Sequence, residues 1–308
     1  MDDGFVSASL NRYARRLGLL LALLSCGYLG WLMWRSLNTP GATPLQWPGL
    51  WQALGATAAS VLAMTSVAMG WYALVRGVAA QTSLRRTLSA YALSQPAKYL
   101  PGNVLHFASR HWISHGDGHL HSDLISATVL ESASLVAVAL ALGSLAAATL
   151  IPSGASWASS VSVILAAALI WTVTGAWVLL RFGDRRRRVL ASMLVHLLCA
   201  AGYFLGSTLA LCLLAGDRLD GVPAMQVMAA VALSWIGGYV VIGAPGGIGI
   251  REALLVGFLG GGTADAALLG AVLGQRLSMI AADLLLFVAA SWWKLPPEEA
   301  RSTRVTPE

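Results

Sequence analysis

The 308-residue chain is 57% hydrophobic and only 11% charged, and several apolar runs reach the roughly 20 residues needed to cross a bilayer. That balance excludes an ordinary water-soluble domain and points to a polytopic helical membrane protein. The net charge of +6 does not imply a nucleic-acid partner, because the arginines cluster in short loops beside hydrophobic spans, where membrane topology accounts for them.

The first span, about residues 17–37, follows Arg12, Arg15 and Arg16 and lacks a cleavage site leading into a soluble domain, so it is read as a retained helix rather than a signal peptide. The loop after it carries no Lys or Arg, which places the N-terminus in the cytoplasm. A second span, about 50–75, returns to Arg76, Arg85 and Arg86. Next comes LSAYALSQPAKYLPGNVLHFASRHW, too short and too interrupted to cross simply. Pro96, Pro101 and Gly102 break it, and Lys98, one of only two lysines, sits between the breaks. The expected form is a re-entrant hairpin entered from the cytoplasm.

Residues 111–123 (HWISHGDGHLHSD) read as a polar surface loop, made floppy by Gly116 and Gly118. His111, His115, His119 and His121 offer imidazoles that could ligate zinc, but no Cys joins them and their spacing fits no familiar zinc pattern. Interfacial histidines facing lipid headgroups are the plainer reading, with no metal and no cofactor.

A third span covers about 122–151 and carries Glu131, and the uncharged loop after it faces outside. The fourth, about 157–182, ends in Arg181 and then the run Arg185 to Arg188, the strongest inside marker in the chain. A fifth span, about 189–215, leads to GDRLDG and an apolar segment at 222–241. Cys26, Cys199 and Cys212 all fall within apolar segments, where no disulfide between loops can form.

The stretch IGAPGGIGIRE, residues 242–252, interrupts the apolar sequence. Pro245 removes a backbone donor, and glycines including Gly246, Gly247 and Gly249 allow dihedrals other residues avoid, so a helix at membrane depth must break here before Arg251 and Glu252 open the next one. Broken backbone in a bilayer is tolerated only where protein or a watery cavity satisfies it. A short helix, the turn GGGTAD with Asp265 as a helix N-cap, and a last span at about 266–293 follow. Lys294, Arg301 and Arg304 put the tail (295–308) inside.

Pro101-Gly102 and Pro245-Gly246 are 144 residues apart, and that shift lays span one on four, two on five, and three on the last. The expected architecture is a single all-α membrane domain. It has about six full transmembrane helices plus two broken, re-entrant elements, arranged as an inverted repeat (about 10–152 and 155–294) whose breaks meet near the midplane. Whether 222–241 spans fully is the alternative; it would place the basic C-terminus outside.

Lys98, Arg110, Glu131, Arg251, Glu252, Arg276 and Asp283 should converge on one polar cavity, since each Arg, Lys or Asp costs about 2.5–3.5 kcal/mol in hydrocarbon. Four cations against three carboxylates leave an excess positive charge, suited to a phosphate-bearing ligand. Arg251 can hold phosphate through two parallel hydrogen bonds, and the Pro245, Gly246, Gly247 and Gly249 turn, like Pro101-Gly102, presents backbone to it.

KYLPG followed by Arg110, then Glu131, APGGIGIRE and Arg276 resembles the transmembrane region of the lysylphosphatidylglycerol synthase family over nearly the whole chain. The resemblance implies a helical membrane fold with two re-entrant elements that moves anionic or aminoacylated phospholipids, or lipid-linked intermediates, between leaflets. Lys98, Arg110, Glu131, Arg251, Glu252 and Arg276 match its motif positions. Two features depart from the family: Ser132 stands where many members have Arg, and the His-rich loop is not characteristic of it. With about 15 residues after the last span, the aminoacyl-transfer domain of bifunctional relatives is expected to be absent. No GxxxxGK[ST] occurs, so these residues hold no P-loop ATPase.

The expected function is flippase-like lipid transport in the cell inner membrane, with a phospholipid or polyprenyl-phosphate-linked lipid as substrate and both termini cytoplasmic. Glycine-rich faces such as 260–262 leave a homo-oligomer open. The alternatives are an intramembrane enzyme acting on a lipid-linked phosphate, and a non-transporting lipid-binding partner of a glycosyltransferase.

Overall fold

A computed structural model describes residues 27, 30, 31, 34, 47–79, 81–99, 105–144, 157–241, 245–260 and 266–293. Most of the expected first span, Pro101-Gly102, Asp265 and the tail at 295–308 lie outside the described residues. Every regular element among those described is helical. They are α1 (Leu50–Ala79), α2 (Leu84–Ser94), α3 (Leu105–Gly116), α4 (His121–Ser144), α5 (Trp157–Arg181), α6 (Arg186–Ala215), α7 (Ala224–Val240), α8 (Ile250–Leu259) and α9 (Ala266–Trp292). Five of these, α1, α4, α5, α6 and α9, are long and apolar enough to cross a membrane. At about 1.5 Å per residue α7 is ~26 Å long, short of the ~30 Å hydrocarbon core.

The core is built on α1 and α6, which pack antiparallel along their length. Small residues allow the approach: a Cβ on Gly77 would collide with Ser192, one on Gly70 with His196, and one on Gly202 with Ser66. Gly202 and Gly206 form a GxxxG face, the pattern by which helices in lipid bring their backbones close. Ser66 donates to the Cys199 carbonyl at 2.8 Å across the same seam. A Cβ on Gly206 would stand 2.9 Å from Ala63 Cβ and 3.0 Å from the Ala59 carbonyl oxygen, so Gly206→Val is expected to destabilise the fold by about 1–3 kcal/mol. Thermal unfolding in detergent measures this. Gly175→Ala, on α5 with open space around it, should unfold as wild type does.

Helix α5 buries little of itself and exposes Ile164, Leu165, Leu169 and Val173. A helix apolar on all sides and uncovered by protein is what a lipid solvent favours.

Charge is distributed unevenly between the ends of the bundle. Arg185 donates from Nη1 to the Val78 carbonyl at 2.7 Å and lies 3.7 Å from Asp123, tying the ends of α1, α4 and α6 together. Arg86 lies 3.7 Å from Asp117, and Arg85 sits 5.1 Å over the Trp293 ring. The arginine run 185–188 belongs to this end, while the described charges at the opposite end are Asp217, Arg218 and Asp220.

The expected surface loop at 111–123 is corrected. Helix α3 continues through His111 and His115, and only 117–120 are non-helical. Arg110 and Ser114, four residues apart, are buried on one face of α3, and burying that face requires the helix to persist. Gly118, at φ +90°, then makes the turn into α4.

Candidate functional site

Two interrupted segments frame the site, each a helix, a 3-10 turn and a second helix. The first runs from α2 through Gln95–Tyr99 to α3, and the second from α7 through Pro245–Gly247 to α8. Their breaks touch: Gly246 packs against the Lys98 carbonyl and the Tyr99 ring. Gly246 (φ +56°) and Gly247 (φ +72°) adopt left-handed backbone that side chains resist. A Cβ on Gly247 would also lie 2.9 Å from the Gly238 Cα and 2.7 Å from Arg251 Nε. Gly238 and Gly247 thus form a side-chain-free channel for the arginine.

A cavity of about 100 Å³ lies between the breaks, with room for several waters at ~10–15 Å³ each. Lys98, Arg110, Glu131, Arg251 and Arg276 line it. Glu252 lines a smaller adjoining cavity of about 30 Å³ that Arg251 and Arg276 also reach, and Asp283 lies behind Lys98. All seven charged residues singled out in the sequence come together here.

The charges pair in a definite order. Arg110, 1% exposed, clamps Glu131, 2% exposed, through two parallel hydrogen bonds, Nη1 to Oε1 at 3.0 Å and Nη2 to Oε2. Its guanidinium lies 3.7 Å from the centre of the Trp71 ring. Lys98 Nζ is 2.6 Å from Asp283 Oδ2, which also accepts from the Tyr99 hydroxyl at 2.5 Å. Arg276 Nε is 3.5 Å from Glu252 Oε1, and its Nη2 donates to the Gly246 carbonyl at 2.6 Å. Glu252 accepts from the Gly249 amide at 2.6 Å, half of a capping box that starts α8.

These pairs occupy all three carboxylates. Arg251 remains: among the described residues it has no carboxylate in salt-bridge reach, its guanidinium being hydrogen-bonded to the Tyr203 hydroxyl with Glu252 further off. The Trp235 ring lies 5.7 Å from its guanidinium carbon. A guanidinium without a salt-bridged carboxylate, beside a polar cavity, has the chemistry to pair with an anion.

Several lining residues escape sequence reasoning. Tyr99, Tyr203 and His106 all face the cavity. Tyr99 adjoins Lys98 in KYLPG and could have been included on that ground; Tyr203 is one polar aromatic within a long apolar helix, with no local signal. His106 stands apart from the other described histidines, in the cavity wall. Gly238, which makes space for Arg251, lies in an apolar run and is recognisable only in three dimensions.

His111, His115, His119 and His121 do not line this cavity. His111 and His121 share a hydrogen bond of 2.6 Å between Nε2 and Nδ1, and the His115 and His121 rings stack at 3.7 Å. His115 Nδ1 donates to the His119 carbonyl at 2.8 Å. Partial burial, then the His121 and His115 imidazoles, hold the His111 pKa below its ordinary value. Among the described residues no group of three or more His, Cys, Asp or Glu is arranged to hold a metal ion.

Protein-family profiles and curated proteins alike give no match to this chain. The resemblance to the lysylphosphatidylglycerol synthase family rests on the motif residues alone.

Proposed function

We propose that this protein is a flippase-like transporter that carries an anionic phospholipid, an aminoacylated phospholipid or a polyprenyl-phosphate-linked lipid across the cell inner membrane. The observation that carries this reading is Arg251, left with positive charge beside the cavity after Arg110, Lys98 and Arg276 are paired. A lipid phosphate supplies the missing counter-charge, and its hydrocarbon stays in the bilayer. The family resemblance of KYLPG, Glu131 and APGGIGIRE points the same way.

In this reading the chain is an inverted repeat of six full spans and two re-entrant elements. The segment around Lys98 enters from the arginine-rich end, which is cytoplasmic by the excess of basic residues, and the one around Pro245 enters from the other. The similar helix, 3-10 turn, helix construction of both segments and the contact between their breaks support it. Rocking of the two halves about the cavity would expose Arg251 to each leaflet in turn.

Mass spectrometry of lipids retained by the purified protein tests the reading. The expected result is enrichment of one phosphate-bearing lipid over its share of the membrane, unchanged when His111, His115, His119 and His121 are replaced together. Retained lipids in bulk proportions would refute the reading. Lipid turnover that vanishes with the four histidines would favour the enzyme.

A further inference from the structure

A second cavity, of about 220 Å³, lies between α1, α2 and α9. It is apolar, and small residues, Ala68, Ser89, Ala92, Ala289 and Ala290, keep it open. Tyr91 lines both this crevice and the central polar cavity, so the two spaces share it as a wall residue. The two spaces follow one face of α9: Arg276 and Met279 line the polar cavity, and Leu286, Ala290 and Trp293 line the crevice. That spacing is helical, and Met279 and Leu286 are about 10 Å apart along the axis at ~1.5 Å per residue.

The crevice runs from protein interior to lipid. Tyr91 and Ala92 are buried at its inner end, while Ala289 and Trp293 are exposed at its outer end, where Arg85 sits over the Trp293 ring. A tryptophan with an arginine is the pairing expected where a span meets the membrane interface. Ser89, 3% exposed, lies along the crevice, and its hydroxyl is buried with no hydrogen-bond partner among the described residues, so the crevice wall it leaves is apolar.

Resting on the transport reading above, we infer that the crevice between α1, α2 and α9 holds one acyl chain of the glycerophospholipid whose phosphate meets Arg251, with Tyr91 as the partition between headgroup and chain. The cationic cavity attracts the phosphate, and the apolar crevice beside it takes the chain, so the lipid is held without its tail entering the polar site. Side-chain rotation of Tyr91 joins the two spaces and lets headgroup and chain be bound together. The crevice thereby sets substrate class: a diacyl lipid fits, and a soluble phosphate ester lacks half of the contact.

The test uses the full chain in vesicles containing an anionic glycerophospholipid with a photoactivatable diazirine in one acyl chain. After irradiation, labelled peptides are mapped by mass spectrometry. Labelling is expected at 88–92 and 286–293 in wild type, lost in Ala289→Trp, which fills the outer crevice, and lost in Arg251→Gln, which releases the headgroup. Labelling confined to the lipid-facing surface of α5, around Leu165 and Leu169, would overturn the inference without any variant. Crevice labelling that persists in Arg251→Gln would also overturn it, because ordinary bilayer lipid would then be the occupant. Arg251-dependent lipid retention without crevice labelling would leave the transport reading standing and this inference refuted. Retention independent of Arg251 would remove both.

Discussion

Replacing Arg251 by Gln is expected to lower the retained phosphate-bearing lipid by about 10- to 100-fold in affinity, with little change in thermal stability. A hydrogen bond to a charged group contributes about 1.5–3 kcal/mol, and each ~1.4 kcal/mol is a factor of ten. The other three cations already have carboxylates, so their charge is largely answered within the protein. Arg251 is half-buried beside the cavity, and no described carboxylate is orphaned by its removal. Arg251→Lys keeps the charge but loses the planar fork, and should fall between wild type and Arg251→Gln. Equal lipid occupancy in wild type and Arg251→Gln, measured by native mass spectrometry, would contradict the assignment.

Glu131→Ala should act on the fold instead, costing about 3–5 kcal/mol, because it strands a buried guanidinium without its partner. Arg110 is 1% exposed, stacked on Trp71 with Tyr91 and Phe107 around it, and only the small central cavity adjoins it, so little water is at hand to soften the loss. The double variant Arg110→Met with Glu131→Leu removes both charges and should recover most of that stability, since an apolar pair can replace a buried ion pair at little cost. Thermal unfolding of wild type, Arg110→Met, Glu131→Leu and the double variant measures the coupling. If Glu131→Ala unfolds at the wild-type temperature, Arg110 and Glu131 are not a structural clamp. The contrast between the two sites would separate roles that look alike in sequence: an arginine that holds the wall and, in the proposed reading, one that meets the lipid phosphate.

The convergence of charges was legible in the sequence because ionised groups at membrane depth must find partners or water, whatever the details of packing. Pro245, Gly246 and Gly247 announced the second break through backbone chemistry alone, and apolar run length marked the long helices. The order of pairing was not legible. Tyr99 and Asp283 are 184 residues apart, and nothing local to either says that one carboxylate oxygen serves both Tyr99 and Lys98. Which arginine is left over follows only from that order. The histidine segment misled for a related reason: its polarity reads as loop, but burial of Arg110 and Ser114 on one face carries the helix through to Gly116. Tertiary demand outweighed local composition there, and Gly238 was overlooked because an absent side chain leaves no pattern.

The most direct test is leaflet transfer itself. Purified protein is placed in vesicles with a fluorescent anionic glycerophospholipid on both leaflets, and a membrane-impermeant reductant is added outside. In wild type the inner-leaflet label should become accessible much faster than in protein-free vesicles, and Arg251→Gln should lie close to the protein-free rate. If wild-type vesicles protect the inner-leaflet label as well as empty ones do, the cavity binds lipid without moving it and the transport account is wrong.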